Sequence, residues 1–274
     1  MDVVPSFRQD GKLTIITGGS GGLANPIAKA LLANGSEIAL IDMNLQRTQD
    51  AALEIADWGT EYFKQTGFSG VVPKVSAWVC DISDFSSVES CFAEIAESHG
   101  KLATNLVNTA GYCENFPAED YPAANAEKLI KVNLLGSLYV AQALAKPLIK
   151  QGLTGSLVLI GSMSGSVVNN PQPQVAYNAS KAGVIHMVKS LAAEWAKYNI
   201  RVNTLSPGYI LTPLTKNVIS GDVAMKNSWE SQVPMKRLAE PKEFVGSILY
   251  LLSESGSSYT TGHDLIVDGG YTLW

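Results

Sequence analysis

The chain has 274 residues, of which 46% are hydrophobic and 16% are charged, so the sequence predicts a globular protein with a sizeable core and excludes a disordered chain. Its formal net charge of −5 argues against a nucleic-acid partner, which would favour a basic face. Three cysteines without paired spacing exclude a disulfide framework. The N-terminus lacks the apolar core of a signal peptide and no apolar run reaches membrane-spanning length, so we expect no membrane partner and a cytoplasmic location.

Short β-branched runs alternate with longer helical patterns along the chain. Most of these runs are continuously apolar, which is typical of parallel strands buried on both faces. The βαβ order predicts a Rossmann-type, doubly wound α/β fold, in which helices cover both faces of an open parallel sheet and residues 1–274 form a single domain. The seven predicted strands are Leu13–Thr17, Glu37–Asp42, Ser76–Cys80, Asn105–Asn108, Ser156–Ile160, Arg201–Leu205 and Asp264–Val267.

Capping residues and one proline mark the predicted helices. The first helix, Leu23–Ala33, is followed by an Asn-Gly pair, which is a C-cap signal, and Asn44 is placed to cap the helix after the second strand. A long helical pattern near Asn125–Lys150 contains Pro147, which we expect to kink or end the helix. The stretch 206–240 is irregular and too long for an ordinary connection, so we expect it to form a lid over the substrate.

The first predicted strand runs directly into the sequence TGGSGGLA at positions 17–24. Glycines allow a tight turn and a close approach to a pyrophosphate, and the helix that follows offers free amide donors and the positive end of its dipole. A glycine-rich string is weak evidence alone, but its place between a strand and a helix favours a dinucleotide site. The residues expected to contact the cofactor here are Gly18, Ser20, Gly22 and Leu23.

Asp42 ends the second predicted strand. A carboxylate at that position can accept hydrogen bonds from an adenosine ribose diol and would repel a 2′-phosphate. The next residue is Met43, where a 2′-phosphate site would favour arginine, and we expect the nearest cation, Arg47, to face solvent. The sequence therefore predicts NAD rather than NADP, with a helix-capping role for Asp42 as a compatible alternative.

Polar residues also follow the third and fourth predicted strands. Asp81 and Ile82 come after the third strand, and Asn108 and Ala110 lie at the end of the fourth. Open α/β sheets bind ligands at the carboxyl ends of their strands. We therefore expect these four residues to contribute to the same cofactor site, although each is ambiguous alone.

Tyr177 and Lys181 open a long helical pattern and lie four residues apart, on one helix face. A phenol has a pKa of about 10 in water, and a nearby ammonium favours the phenolate. The spacing therefore predicts that Tyr177 acts as a general base near neutral pH. Lys181 is also a candidate to bind the nicotinamide ribose.

Two further polar residues strengthen this prediction. Ser162 follows the fifth strand, where its hydroxyl could hold the substrate oxygen and stabilise a developing alkoxide. Asn133 stands in an apolar helical pattern, where a polar side chain is costly unless it is hydrogen-bonded. The simpler interpretation of Asn133 is a local contact within its helix.

These residues together resemble the short-chain dehydrogenase/reductase family over almost the whole chain. The resemblance implies a doubly wound seven-stranded sheet, a homotetramer, chemistry without a metal, and a catalytic tetrad at Asn133, Ser162, Tyr177 and Lys181. It also implies a water-linked proton relay supported by Asn133 through Lys181. The segments that carry it, besides the glycine-rich loop and the tetrad, are NTAG at 108–111, SPG at 206–208 and VDGG at 267–270. By the same resemblance, the nicotinamide is flanked by Pro207, Gly208, Ile210 and Thr212.

The sequence departs from the family pattern at two positions. Ala24 replaces the third fingerprint glycine, which normally allows close packing of helix on strand, and we expect a small helix shift without loss of binding. Thr109 stands where the strand-four motif usually has a second asparagine, which removes one side-chain amide.

A narrower resemblance is to a yeast group within this family, the ribulose-forming D-arabinitol dehydrogenases, which oxidise D-arabinitol to D-ribulose with NAD. The segments NTAGYCENFPAE, IGSMSGSVVNNPQPQ and EWAKYNIRVNTLSPGYILTPL carry it. Related fungal sorbose and mannitol reductases share parts of these segments but commonly prefer NADP. The alternatives are therefore an NADP-dependent sorbose or fructose reductase and, from another class, a dinucleotide sensor without turnover, against which the complete tetrad argues.

Polar loop residues are the candidates for substrate contacts. As a group they fit the hydroxyls of a sugar alcohol better than a lipid, whose pocket would be mostly apolar. Cys113 lies among them, but no base stands beside it in the sequence, so we do not expect a nucleophile. No histidine shows metal-ligand spacing, and we expect no metal. The candidate substrate residues are Glu114, Asn169 and Gln174, with Asn115 and Gln172 nearby.

Overall fold

The computed structural model describes residues 4–67, 70–212, 215, 221 and 223–273. Its centre is a seven-stranded sheet in the order β3-β2-β1-β4-β5-β6-β7, with every neighbouring pair parallel. This confirms the predicted fold class. The strands are β1 (Leu13–Thr17), β2 (Glu37–Asp42), β3 (Val75–Val79), β4 (Asn105–Asn108), β5 (Gly155–Ile160), β6 (Ile200–Pro207) and β7 (Asp264–Val267).

Helices connect the strands and lie on both faces of the sheet. In chain order they are α1 (Ala24–Ala33), α2 (Leu45–Gln65), α3 (Phe85–His99), α4 (Ala123–Ile130), α5 (Gly136–Gln151), α6 (Val175–Trp195), α7 (Val223–Gln232), α8 (Val245–Leu252) and the single turn α9 (Glu254–Ser257).

Successive residues of the central strands point to opposite faces of the sheet and are buried on both. In β1, Leu13 and Ile15 join the cluster formed with α3, α5 and α6, whereas Ile16 joins the cluster formed with α1, α2 and α8. This double burial explains why the strand sequences are apolar runs without alternation. Two apolar layers therefore sandwich the sheet, which leaves its carboxyl edge to carry the polar residues.

The predicted capping residues act as expected. The Asn44 side chain accepts a hydrogen bond from Arg47 N (3.0 Å) at the start of α2. Helix α1 ends at Asn34, and Gly35 follows with φ of 94°, a conformation that favours glycine. Because Asn44 caps α2, the alternative role of Asp42 as the cap of that helix is wrong.

The long helical pattern from Ala123 to Gln151 does not end at Pro147, one of the two outcomes that the sequence predicted. The proline lies inside α5, and the helix continues to Gln151 and ends at Gly152, which has φ of 65°. One turn of π-helix, Lys131–Leu135, separates α4 from α5. By length and composition alone this helix could cross a membrane, with a mean hydropathy of 1.2, contrary to the sequence expectation, but half of its most apolar window is buried in the fold.

The sheet reverses its winding at β1, which has β2 on one side and β4 on the other. Such a switch point opens a crevice at the carboxyl ends of the strands, where α/β folds bind ligands. Part of the predicted lid, at 213–214, 216–220 and 222, lies outside the described residues. Within its described part, α7 packs through Trp229, and residues 233–240 lead back to α8.

Candidate active site

The glycine-rich loop between β1 and α1 is tight for a steric reason. A Cβ on Gly18 would lie 2.9 Å from Ala110 N, and one on Gly19 would lie 2.7 Å from Leu40 Cβ. Gly21 N donates to Gly18 O (2.8 Å), which closes the turn before the helix. Ala24, the family departure, is fully buried in the core at the start of α1. The loop is therefore close-packed against β2 and β4 and presents its backbone to the cleft.

A cleft of about 550 Å³ opens above the switch point. The structure brings together at this cleft nine of the residues predicted to bind the cofactor, and their roles stay predictions. These residues are Gly18, Ser20, Gly22, Leu23, Asp42, Asp81, Ile82, Ala110 and Thr212.

The Asp42 carboxylate faces the cleft and anchors the glycine-rich loop. Its Oδ2 accepts from Ser20 N (3.1 Å) and Ser20 Oγ (2.7 Å), and its Oδ1 accepts from Met43 N (2.7 Å). Arg47 is exposed, as predicted, and it also lines the cleft. The site thus holds one carboxylate suited to a ribose diol and one cation at its rim.

Asn108 does not lie where the sequence predicted. The side chain is buried: its Oδ1 accepts from Thr17 Oγ1, and its Nδ2 donates to Ser137 Oγ (2.8 Å). It therefore ties β1 and β4 to α5 beneath the cleft, and both of its polar atoms are already used. Thr109, the second departure from the family pattern, donates its hydroxyl hydrogen bond to Thr17 O (2.6 Å). It therefore also links the end of β4 to β1, with a hydroxyl in place of an amide.

Three residues of the predicted tetrad meet at the carboxyl end of β5. Ser162 lies just beyond the strand, where its hydroxyl is close enough to the Tyr177 phenol to lower the pKa of that phenol. Lys181 Nζ lies 5.7 Å from the centroid of the Tyr177 ring and donates to Ile160 O (2.8 Å). The first two turns of α6 thus place the phenol and the ammonium side by side, as their spacing predicted.

Burial dominates the protonation of this pair. It raises the pKa of Tyr177 to about 12, partly opposed by the nearby Ser162 hydroxyl, and it lowers the pKa of Lys181 to about 8. The expectation that the ammonium holds the phenol below its usual pKa is therefore wrong for the protein in this structure. At neutral pH the pair consists of a neutral phenol beside a protonated amine, and the phenol needs a further positive charge nearby before it releases its proton readily.

Asn133 lies in the π-helical turn and is completely buried. Its Oδ1 accepts from Tyr112 N (3.1 Å), and its Nδ2 donates to Tyr112 O (2.9 Å) and to Ser180 Oγ (3.2 Å). A Cβ on Gly111 would lie 3.1 Å from Asn133 Oδ1 and 3.7 Å from Lys181 Nζ. Asn133 therefore holds the loop after β4 against α6, next to the lysine, and its part in a water-linked relay stays a prediction.

The polar loop residues separate into two groups. Asn169 Nδ2 and Gln172 Nε2 both donate to Tyr209 Oη (3.3 and 3.0 Å), so their amides are used within the protein. Glu114 accepts from Asn125 Nδ2 (3.2 Å to each oxygen) and remains half-buried. The expected role of Asn169 and Gln172 as direct substrate contacts is not supported by these bonds.

Gln174 occupies the N-cap position of α6, three residues before Tyr177, without a side-chain capping bond, and it is buried. Its Nε2 lies within hydrogen-bonding distance of Ser164 Oγ, Asn169 Oδ1 and Asn178 Oδ1 (3.1, 3.1 and 2.8 Å). Among the described residues, the hydrogen bond recorded for its Oε1 comes from the weak thiol donor Cys113, at 3.7 Å.

Cys113 interacts electrostatically with both Tyr177 and Lys181, and burial raises the pKa of its thiol to about 11. The thiol is therefore neutral at pH 7, as expected for a residue that is not a nucleophile.

Comparisons with known proteins agree with this geometry. A family model described as enoyl-(acyl carrier protein) reductase matches residues 18–272. The ribulose-forming D-arabinitol 2-dehydrogenase of Scheffersomyces stipitis is 67% identical over 273 residues, covering 100% of this chain and 98% of that protein. The NADH-dependent L-xylulose reductase of Ambrosiozyma monospora is 60% identical over 274 residues, covering 100% and 99%. A short-chain type dehydrogenase/reductase from Mycobacterium marinum matches with a TM-score of 0.86 at 32% identity, covering 98% of each chain.

The chain belongs to the short-chain dehydrogenase/reductase family. It is accordingly an oxidoreductase of that family and uses a nicotinamide dinucleotide. The residues fit such a cofactor, because a close-packed glycine loop at a helix start and a carboxylate at the end of β2 share one cleft. Within the described ranges, no group of three or more potential ligand side chains is arranged to hold a metal ion.

Sequence reasoning missed an aromatic cluster beside this short-chain dehydrogenase/reductase site. Tyr209 stacks on Trp229 with ring centroids 4.4 Å apart and meets Tyr271 edge-on at 5.6 Å. Trp229 Nε1 donates to Gln172 Oε1 (3.0 Å), which joins α7 to the loop before α6. No local pattern indicates these contacts, because the three aromatic residues come from three separate segments of the chain.

Proposed function

We propose that this chain oxidises D-arabinitol to D-ribulose with NAD. The reaction type rests on the meeting of Ser162, Tyr177 and Lys181 beside the cleft. The substrate rests on one observation, the 67% identity over the whole chain to a ribulose-forming D-arabinitol 2-dehydrogenase. A metabolic enzyme of this kind fits a cytoplasmic homotetramer, which light scattering of the purified protein and cell fractionation would test.

Each residue of the predicted tetrad has a separate role in the proposed reaction. The Ser162 hydroxyl holds the oxygen of the reacting carbinol, and the Tyr177 phenolate takes its proton as the carbonyl forms. Lys181 stabilises that phenolate by its charge, and Asn133 keeps the loop at Gly111 against the ammonium. When bound, NAD supplies the hydride acceptor and a positive charge near the phenol. Burial of Tyr177 and Lys181 keeps bulk water away from the proton transfer.

The preference for NAD over NADP is supported by the charge of Asp42. Its carboxylate lies in the cleft with both oxygens already oriented by backbone and hydroxyl donors, and it would repel a 2′-phosphate. Among the described residues that line the cleft, Arg47 is the one cation, and it would help a 2′-phosphate. The xylulose reductase relative is named as NADH-dependent. We infer that the fixed carboxylate outweighs an exposed arginine.

A second candidate is the NADH-linked reduction of L-xylulose, which the 60% identity to the reductase favours. An NADP-dependent sorbose or fructose reductase is not favoured. A screen of pentitols and hexitols with NAD and NADP, and of D-ribulose, L-xylulose, sorbose and fructose with the reduced cofactors, separates these activities. The proposal predicts the highest kcat/KM for D-arabinitol and D-ribulose with NAD and NADH. A higher value for L-xylulose would establish the second candidate.

A further inference from the structure

Two cysteines that the proposed chemistry does not use lie together behind the cofactor cleft. Cys80 follows β3 and Cys91 lies on α3, and both are free and buried, at 3% and 5% exposure. They belong to one hydrophobic cluster, and each thiol shifts the pKa of the other. Ser87, which lies one turn before Cys91 on the same face of α3, donates its hydroxyl to the Cys80 sulfur (3.4 Å). Two thiols placed side by side in this way need only small side-chain rotations to approach the distance of a disulfide.

Cys80 is also part of the wall of the cleft. Its backbone N–H donates to Asp42 O (3.0 Å), and the next residue is Asp81, whose carboxylate accepts from Ser83 N (2.9 Å). Both carboxylates line the cleft as well. Any movement of Cys80 toward α3 therefore pulls on the two strand ends that are expected to hold the adenosine half of the cofactor.

The two sulfurs are not equivalent. The Cys80 sulfur accepts a hydrogen bond from Ser87 Oγ (3.4 Å), and Cys80, unlike Cys91, lines the cleft through which peroxide would arrive. Interaction with Cys91 and with the Ser87 hydroxyl lowers the pKa of Cys80, whereas interaction with Cys80 and burial raise the pKa of Cys91. Because the thiolate is the reactive form, Cys80 is the sulfur that reacts first and Cys91 is the sulfur that follows.

We propose that Cys80 and Cys91 form a peroxide-sensitive pair that closes to a disulfide and weakens the binding of the cofactor. In the first step the Cys80 thiolate attacks hydrogen peroxide, the O–O bond breaks, a sulfenic acid forms and hydroxide leaves. In the second step the Cys91 sulfur attacks the sulfenic sulfur, the S–S bond forms, the S–O bond breaks and water leaves. The pair loses two electrons in total, and the peroxide gains them.

This inference rests on the nucleotide cleft and not on which alcohol is oxidised. The third cysteine, Cys113, lies in the loop after β4 and interacts with Gln174, Glu114 and Asn115 rather than with a thiol. It is therefore the internal comparison for peroxide reactivity without a partner.

The test uses the full chain carrying Cys113→Ser, so that two thiols remain. The cofactor-free protein is treated with hydrogen peroxide, denatured and alkylated, and its intact mass is measured. Both thiols are expected to disappear together with a loss of two hydrogens, and dithiothreitol is expected to restore them. The dissociation constant for NAD, measured by fluorescence, should rise at least about tenfold after oxidation, and saturating NAD should slow thiol loss by a similar factor.

Cys91→Ser and Cys91→Ala, checked first for unchanged NAD affinity, serve as matched variants. With either one, peroxide should add oxygen to Cys80 without forming an intramolecular disulfide. Three results would overturn the proposal: loss of one thiol while the other is still alkylated, a disulfide with unchanged NAD affinity, or no reaction at peroxide levels that oxidise Cys113 in the wild-type chain.

Discussion

The hydroxyl of Tyr177 is the atom on which the proposed proton transfer depends. Tyr177→Phe keeps the ring and its packing and removes only the proton acceptor, so turnover should fall by ~10²–10⁴-fold, the usual worth of general acid–base catalysis. The affinity for NAD should stay within about tenfold, because the change removes only the proton acceptor, although Tyr177 is also a predicted cofactor contact. Steady-state rates and a binding titration measure both effects, with Tyr250→Phe, whose hydroxyl pairs with Thr260, as the matched control. Activity above a tenth of wild type would refute the role of Tyr177.

The charge of Asp42 should set the choice of dinucleotide. Asp42→Ala removes a ribose acceptor and the repulsion of a 2′-phosphate. NAD binding should therefore weaken by about 2–4 kcal/mol, and the difference in binding free energy between NAD and NADP should decrease. The same change releases Ser20, whose backbone and hydroxyl the carboxylate holds. Ser20→Ala is therefore the control, since it loosens the loop but keeps the charge. The measurement is the ratio of kcat/KM with NAD to kcat/KM with NADP. An equal change of this ratio in Asp42→Ala and Ser20→Ala would show that Asp42 only anchors the loop.

The protonation of the Tyr177–Lys181 pair predicts opposite pH dependences for the two directions. Alcohol oxidation needs the phenolate, and burial raises the phenol pKa to about 12, so the oxidation rate should rise with pH through the alkaline range. Ketone reduction needs the neutral phenol and should fall over the same range. Because the pKa of Lys181 is lowered to about 8, its stabilising charge is present only below that pH, so Lys181→Met should slow oxidation most near pH 7 and progressively less above pH 8, while weakening NAD. Initial rates across pH in both proteins test this, and a rate ratio between the two proteins that does not change across pH 8 would contradict the electrostatic role of Lys181.

Gln174 is the loop residue best placed to recognise a substrate hydroxyl. Within the part of the chain that the structure describes, its Oε1 accepts only a weak thiol bond at 3.7 Å from Cys113, which interacts with the Tyr177–Lys181 pair. Gln174→Met should lower kcat/KM for a pentitol by about tenfold or more relative to a simple secondary alcohol, because one hydrogen bond is lost. Asn169→Ala, which disturbs the same network from the other side, is the control. An equal loss for both alcohols in Gln174→Met would show a structural role.

At the scale of elements, the position of α7 depends on the contact between Trp229 and Gln172. Trp229→Phe keeps an aromatic ring against Tyr209 but leaves the buried Gln172 Oε1 without its donor, at a cost of about 1–3 kcal/mol. Because this cost falls on the docking of α7, hydrogen exchange in 223–232 should accelerate while that of β1 stays unchanged. Trp58→Phe, at a half-buried position of α2 where the ring stacks on Tyr62, provides the matched control. Uniform acceleration across the sheet would contradict a local role for this contact.

The elements also show what the sequence could and could not predict. The strands were predictable to within two residues at each end, because parallel strands buried on both faces require continuous apolar runs. Pro147 does not end α5, because packing of α5 against α3 and the sheet preserves the helix despite the missing N–H. The meeting of Ser162, Tyr177 and Lys181 was predictable from local motifs. The pairing of Asn169 and Gln172 with Tyr209 was not, because a polar loop residue carries no local sign of a partner distant in the sequence.

At the scale of the whole molecule, the strand interiors of the central sheet stabilise the fold, and its carboxyl edge carries the site. The strand interiors bury apolar residues on both faces, and the carboxyl edge carries the glycine loop, Asp42 and the Ser162–Tyr177–Lys181 group. The sheet and its helices therefore position both the cofactor cleft and the proton-transfer pair, whereas the surrounding polar residues are positioned by loops. This division predicts that substrate range can change through the loops without loss of the reaction type.

The most direct measurement is the initial rate of NAD reduction with D-arabinitol and with D-mannitol as competing substrates for the wild-type chain, with chromatographic identification of the product. We predict a higher kcat/KM for D-arabinitol, with D-ribulose as the product and NAD preferred to NADP. Faster oxidation of D-mannitol, a product other than D-ribulose, or a preference for NADP would contradict the proposed function.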